Sequence, residues 1–290
     1  LIITDHHEVP YEIVNGERNY IFPDADVIID PKQPGCEYPF KELCGAGVAW
    51  KLICALGVDE EILIQTLQLA AFATIGDIVS LQGENRILAK KGLELINKLK
   101  TVSEYYDSYS EYEEMDFVDD YESESYDIVK NAQKSAAILG LNALINVTGY
   151  TDKNIGAFEV GFILGPCINA AGRLDDAMNA VNLFLTDDYE EALVIASKIN
   201  ELNNTRKNMT LDAVNRAIRI ISQEGLADNN VIVCYIPDCH EALAGLVAGR
   251  ITAQYYKPTI ILTDAMGDFE GQAKASARSI EGFNMHEALT

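Results

Sequence analysis

The sequence predicts an α/β protein in which a parallel-sheet domain is joined by a long helix to a smaller α/β domain. Three observations carry that prediction. Leu1 to Thr4 and Val27 to Asp30 are short apolar, β-branched runs, each ending beside an acid and followed by Pro- and Gly-bearing loops and then helix-period segments. Asp187 to Glu224 contains no Gly or Pro and repeats apolar residues at helical spacing. The strand–helix–strand rhythm then restarts with Val231 to Ile236, Leu243 to Tyr255 and Thr259 to Thr263.

In order along the chain, Ala46 to Leu56, Glu60 to Thr74 and Asn85 to Leu99 read as helices. Gly57 and Gly83 mark breaks and Asp59 is available as an N-cap. The stretch from Asp187 to Glu224 places Leu193, Ala196, Ile199 and Leu202, then Val214, Ala217, Ile218 and Ile221, on one face. As one helix it spans roughly 55 Å at 1.5 Å per residue, enough to bridge two domains. The domain junction is expected there, with residues 1–186 before it, 187–224 as the connection and 225–290 after it.

The chain has 290 residues, 48% of them apolar, which is ample for real cores. Its 22 basic and 45 acidic residues give a net charge of −23, which argues against a protein held to nucleic acid by bulk positive charge. The charge is unevenly placed, because 11 acids and no base lie between Lys100 and Lys130. Within that stretch, residues 103–127 alternate acids with six tyrosines and lack aliphatic periodicity, so they are expected to be a solvated, mobile insertion. The sharper alternative is a strand mimic lying in a nucleic-acid groove. The six cysteines form no CxxC pair and no metal-finger spacing, so a reducing cytoplasm is the expected home. No apolar run approaches the ~18 residues of a membrane span. The chain opens inside what reads as a buried strand at Leu1-Ile2-Ile3-Thr4 and lacks an initiator Met, so it reads as a piece of a longer protein whose sheet partners lie upstream.

Chemistry concentrates at a few places. Thr4-Asp5-His6-His7 follows the first strand, and open α/β sheets bind ligands outside the carboxyl ends of their strands. One acid and two imidazoles there suit a metal or a phosphate, although either histidine could equally satisfy a backbone carbonyl. Asp77, in Thr74-Ile75-Gly76-Asp77-Ile78-Val79, sits where an acid is costly without a partner. It reads as a second ligand or as a helix-capping Asp. Gly165 to Arg173 puts Asn169 and the Arg173 guanidinium on what reads as a small-residue turn, able to grip a phosphate bidentately or to pair Arg173 with Asp175 or Asp176. His240-Glu241 precedes a helix containing Gly245 and Gly249, and Ala275-Ser276-Ala277-Arg278-Ser279 interleaves hydroxyls with one Arg. Both read as anion sites.

Taken together, TDHH, DPKQPGCEYPFKELCGAGVAWKL, ATIGDIVSLQGENRILAKKGLELIN, NAAGRLDD, INELNNTRK, CHEALAGLVAGRI and SARSIEGFNMHEAL resemble the bacterial RecJ-type single-strand-specific exonucleases of the DHH phosphoesterase superfamily. The resemblance covers nearly all of the chain outside the acidic segment. It implies a DHH domain, a long connecting helix and a DHHA1 domain, with a Mn²⁺ or Mg²⁺ cluster hydrolysing phosphodiesters of single-stranded DNA from a 5′ end. Imidazole and carboxylate donors favour Mn²⁺ over an all-oxygen Mg²⁺ site. The match implies His6 and Asp77 as metal ligands, His7 beside the scissile phosphate and Asp5 supporting or ligating. It implies Asn169 and Arg173 on substrate phosphate, and His240, Ser276 and Arg278 on the strand. The family's upstream Asp-x-Asp pair and a further Asp are missing, as is the Gly-Gly-His expected beyond Thr290, and Ala275 stands where the family usually has Gly. On that ground the chain by itself is expected to be inactive. The rival readings are a DHH oligonucleotidase or cyclic-dinucleotide phosphodiesterase, and a non-catalytic scaffold binding DNA or replication and repair proteins.

Overall fold

The structure is a computed structural model and describes residues 1–100, 136–269 and 271–289. The acidic, tyrosine-rich segment 103–127 lies outside the described residues. The chain divides into two compact units, Leu1–Ile168 with Met178–Asn200, and Asn169–Ala177 with Glu201–Thr290.

In the first unit, β1 (Ile2–Thr4) pairs in parallel with β4 (Val27–Ile29), Ile3 opposite Ile28. The ladder runs one residue further, Asp5 N–H donating to the Ile29 carbonyl at 3.0 Å. The first strand reads from the sequence as buried, yet Leu1 is 72% and Ile2 62% exposed, because among the described residues this sheet has two strands and β1 is an edge. Between these strands stands a hairpin that sequence periodicity does not announce, β2 (Tyr11–Val14) and β3 (Glu17–Tyr20). Asn15 and Gly16 close it with φ of 55° and 84°, the positive pair a two-residue hairpin loop requires.

Helices α1 (Gly45–Ala55), α2 (Glu60–Gly76) and α3 (Gly83–Leu99) follow at nearly the expected positions. Asp59 occupies the N-cap of α2 without a side-chain cap bond, and Gly83 opens α3. The α2–α3 contact depends on Gly92, where a Cβ would fall 2.1 Å from that of Ala71. Next come α4 (Ala136–Val147) and, after a short turn at Ala157–Glu159 and a π-type turn at Val160–Leu164, α5 (Gly165–Leu174). Residues 165–173 therefore form a helix, which corrects the expected phosphate-cradling turn. Pro166 is tolerated at its second position, where a missing N–H costs least, and the wide π turn, with Gly165 N–H reaching the Val160 carbonyl, absorbs the change of path. The two alanines of NAAGR are wholly buried. A short α6 (Met178–Leu183) ends the stretch.

The Gly- and Pro-free segment is one helix, α7 (Tyr189–Gln223), 35 residues long. Asp188 caps it through Oδ1, accepting from Glu190 N–H at 2.8 Å. Its first third buries Ala192, Ala196 and Ile199 in the first unit, and its last third buries Ala213, Ala217 and Ile221 in the core of the second. That second core also takes Ile232 and Cys234 from β5 (Ile232–Tyr235), Val247, Ala248 and Ile251 from α8 (Ala244–Tyr255) and Ile261 from β6 (Thr259–Asp264). Strands β5 and β6 are parallel, and β7 (Ala273–Arg278) adds antiparallel to β6. The chain continues into α9 (Met285–Leu289). No helix among the described residues is long and apolar enough to cross a membrane.

Candidate metal centre and phosphate-binding segment

Asp5, His6 and His7 leave the carboxyl end of β1, and their ligating atoms all lie within 4.8 Å of one another. The Asp5 carboxylate organises the turn. Its Oδ1 accepts from the His6 N–H at 2.7 Å and the His7 N–H at 3.3 Å and meets His7 Nδ1 at 2.7 Å. The His7 side-chain bond, followed by the backbone donors, holds the Asp5 carboxyl below the usual carboxylate range. An ionised Asp5 can only accept, so His7 carries its proton on Nδ1 and presents Nε2, on a ring that is 75% exposed.

His6 lies beside His7, the two ring centroids 4.3 Å apart, and is the more buried of the pair. Its Nε2 lies 3.7 Å from Asp77 Oδ2, and its side chain is only 18% exposed. Asp77 is the C-cap of α2, its N–H bonded to Ala73 O at 2.8 Å, so the helix end fixes the acid's backbone. Asp77 thus sits at the C-cap of α2 through its backbone while its carboxylate faces the His6 imidazole.

Residues not singled out from the sequence set this geometry. A Cβ on Gly45 would stand 3.4 Å from His6 Cδ2, so the first turn of α1 lies against the imidazole. Cys44 caps α1, its Sγ accepting from Gly47 N–H at 3.4 Å and meeting Thr74 Oγ1 at 3.4 Å, which ties the start of α1 to the last turns of α2. The signal was the Cys-Gly-Ala-Gly run, whose small residues permit the close approach. The donor set, two imidazoles and two carboxylates at a sheet edge, suits a divalent cation that takes nitrogen as well as oxygen donors, as Mn²⁺ does more readily than Mg²⁺.

The other predicted site residues lie in the second unit, around the segment His240 to Gly245. Arg173 Nη1 donates to the Ala242 carbonyl at 2.8 Å, and His240 Nδ1 accepts from the Ala242 N–H at 3.3 Å. Asn169 is exposed one turn before Arg173 on α5. Gly245, at the start of α8, faces Ser276 and Arg278, for a Cβ there would lie 2.9 Å from Arg278 Nη2 and 3.6 Å from Ser276 Oγ. Glycine is what lets the guanidinium reach the helix's amino end, where backbone N–H groups and the macrodipole favour anions. Strand alternation sends Ala275 to the opposite sheet face from Ser276. Lys274 completes the rim by pairing with Glu241 at 2.9 Å, and its hydrogen bond holds the Glu241 carboxyl below the ordinary range.

The chain as a whole is similar to known proteins. The chain is 36% identical over 290 residues to the single-stranded-DNA-specific exonuclease RecJ of Bacillus subtilis, and 30% identical over 305 residues to that of Escherichia coli. The RecJ crystal structure with Mn²⁺ from Thermus thermophilus superimposes with a TM-score of 0.68 at 27% identity, over 99% of this chain and 35% of that one. The chain is similar to part of RecJ over its whole length. A second RecJ structure bound to manganese gives a TM-score of 0.65 at 28% identity, over 99% of this chain and 59% of that one. The RecJ relationship thus extends over both units, and the fold is the α/β architecture of those structures. The match is to a part of each relative, since the chain spans 30% of the Bacillus and 44% of the Escherichia RecJ. No family model matches the chain.

Proposed function

We propose that this chain forms part of a metal-dependent exonuclease that degrades single-stranded DNA from a 5′ end and releases mononucleotides. The observation that carries the reading is the convergence of Asp5, His6 and His7 with Asp77, from β1 and α2, at the carboxyl edge of a parallel sheet. His6 and Asp77 would hold the cation, with Asp5 as a supporting donor. A bound Mn²⁺ or Mg²⁺ neutralises charge growing on the phosphate and makes water more acidic. Asp5 fixes the tautomer of His7, whose free Nε2 is then directed at the scissile phosphate. Asn169, Arg173, His240, Ser276 and Arg278 grip phosphates of the strand with a fork, an imidazole, a hydroxyl and a second fork, a set that binds backbone without reading bases.

On this reading residues 1–186 act as the DHH domain, 187–224 as its connecting helix and 225–290 as the DHHA1 domain. The relatives are single-stranded-DNA-specific exonucleases, and the similar RecJ structures hold Mn²⁺ or Mg²⁺. All six cysteines are free, which suits a reducing cytoplasm. The test is expression of the complete reading frame that encodes this sequence and incubation with a long 5′-labelled single strand and millimolar Mn²⁺. Mononucleotide release that is lost in His6→Ala and Asp77→Asn is the expected result. Cleavage of a dinucleotide with the long strand untouched would replace this reading with that of an oligonucleotidase.

A further inference from the structure

The hairpin β2–β3 is amphipathic, and its two faces differ in chemistry as well as polarity. Cross-strand partners share a face, so Tyr11, Tyr20, Ile13 and Arg18 lie on one side and Glu12, Glu17, Val14 and Asn19 on the other. On the first side Arg18 Cζ sits 4.5 Å from the centre of the Tyr11 ring, and Tyr20 meets that ring edge-on at 5.9 Å. This side is open, with Tyr11 44% and Ile13 63% exposed. Among the described residues the ribbon pairs with no other strand, and Pro10 O bound by Ile21 N–H at 2.8 Å closes its base. An ordered tyrosine, a guanidinium stacked on it and a β-branched neighbour make a rigid platform that nothing in the described residues uses.

We propose that this ribbon is a nucleobase-stacking platform, with Tyr11 and Arg18 receiving a base of the single strand whose phosphate lies at His7. The inference rests on the nuclease reading above and adds to it a positioning site outside the phosphate-gripping residues. Position favours it, because Tyr11 follows His7 by four residues and the two Cα atoms are therefore within about 14 Å. With stacked nucleotides rising about 3.4 Å each, a base of the same strand reaches Tyr11 within roughly four nucleotides of the phosphate. Chemistry favours it too. Aromatic rings and Arg planes are the sequence-tolerant partners of unpaired bases. A second copy of this chain is the competing occupant, and a net charge of −23 opposes it.

The test measures binding of 5′-phosphorylated single strands carrying 2-aminopurine, or an abasic residue, at each of the first four positions, in EDTA so that no strand is cut. Tyr11→Leu keeps an apolar strand residue and removes the ring, and Tyr11→Phe restores it. Asn19→Thr changes the opposite face. Tyr11→Leu is expected to weaken binding roughly tenfold and abolish the 2-aminopurine quench at one position, with Tyr11→Phe and Asn19→Thr near the parent. An abasic residue at that position should weaken the parent by a similar factor and leave Tyr11→Leu unaffected, a coupling that a merely structural role would not produce. If Tyr11→Leu binds as tightly as the parent while Arg278→Ala binds weakly, the platform is wrong and the nuclease reading stands. If the parent binds no single strand, both fall. A dimer that Tyr11→Leu dissociates, with DNA binding unchanged, would assign the ribbon to self-association instead.

Discussion

Nε2 of His6 stands 3.7 Å from Oδ2 of Asp77, bringing the turn after β1 onto the C-cap of α2. The first turn of α1 borders that imidazole, since a Cβ on Gly45 would make ordinary contact at 3.4 Å from His6 Cδ2 and a longer side chain would press on the ring. Gly45→Leu therefore crowds the ring and should weaken Mn²⁺ binding by at least about threefold, an effect of the kind that moving a ligand's support produces. Isothermal titration of Gly45→Leu and Gly45→Ala separates bulk from the loss of glycine. Equal affinity in all three proteins would show that α1 does not position His6.

The donors that converge among the described residues are the side chains of Asp5, His6, His7 and Asp77. Two octahedral cations about 3.5 to 4 Å apart need far more positions and a bridging carboxylate. The 290-residue chain alone is therefore expected to bind a cation without releasing mononucleotides. Robust release from this chain that vanishes in His6→Ala would show that the present donors suffice.

Strand affinity should depend on Arg173 and Arg278 despite the net charge of −23. Exposed acids more than about 10 Å away are screened at 0.1 M salt, whereas a guanidinium on a phosphate is not. Each Arg→Ala should weaken binding to all sequences alike and flatten the salt dependence by a slope of about 0.7 per contact. Arg173 also anchors the Ala242 carbonyl, so its variant should lose some stability as well.

Lys51, Glu84 and Tyr38 form a cluster that supports α1 against α3, with Lys51 Nζ 2.6 Å and the Tyr38 hydroxyl 2.8 Å from the Glu84 carboxylate. Burial opposes the Glu84 charge, and the Lys51 and Tyr38 hydrogen bonds more than reverse it, so its carboxyl titrates below the ordinary range. The Glu84 bond raises Lys51 in turn, against a smaller burial effect. A depressed acid stabilises the fold above its unfolded pKa and loses that contribution as pH falls through the folded value. The raised lysine stabilises below its unfolded pKa and loses that contribution as pH rises through the folded one. Lys51→Met should thus cost about 1 kcal/mol in urea unfolding at pH 7, and the gap from the parent should narrow at pH 3 and at pH 11. A gap constant with pH would mean that lost packing explains the effect.

Gly92 offers a stability test away from any site. A methyl there would enter Ala71 at 2.1 Å and the Leu67 carbonyl at 3.1 Å, so the ordinary gain in helix propensity from Gly→Ala is reversed. Gly92→Ala should destabilise by roughly 2 kcal/mol or more in denaturant unfolding. A stabilised variant would mean that α2 and α3 separate more easily than their packing suggests.

Much of the fold was legible because long-range periodicity announces it. The 35 residues of α7 carry no breaker, and the β-branched runs at Val27 and Thr259 lie where β4 and β6 form. Strands β2 and β7 were not legible. Glu12, Glu17 and Asn19 blur apolar alternation in the hairpin, leaving Asn15-Gly16 as its clearest signal, and β7 is built from alanines with Lys274, Ser276 and Arg278. The Gly165-Pro166 pair read as a turn because local rules assign it one, and the π turn before it converts the same pair into a helix start. At the candidate site, residue types pointed to Asp5, His6, His7 and Asp77. That Asp5 holds both histidine N–H groups and that Gly45 borders His6 depends on how the chain folds back, which no local pattern encodes.

The most direct test of the account is the Mn²⁺ electron paramagnetic resonance of the 290-residue chain under titration. The account predicts a bound-ion signal that saturates with protein concentration and is lost in His6→Ala and in Asp77→Asn, with both variants folded by circular dichroism. A signal of the same strength and affinity in both variants would contradict it and place the cation elsewhere.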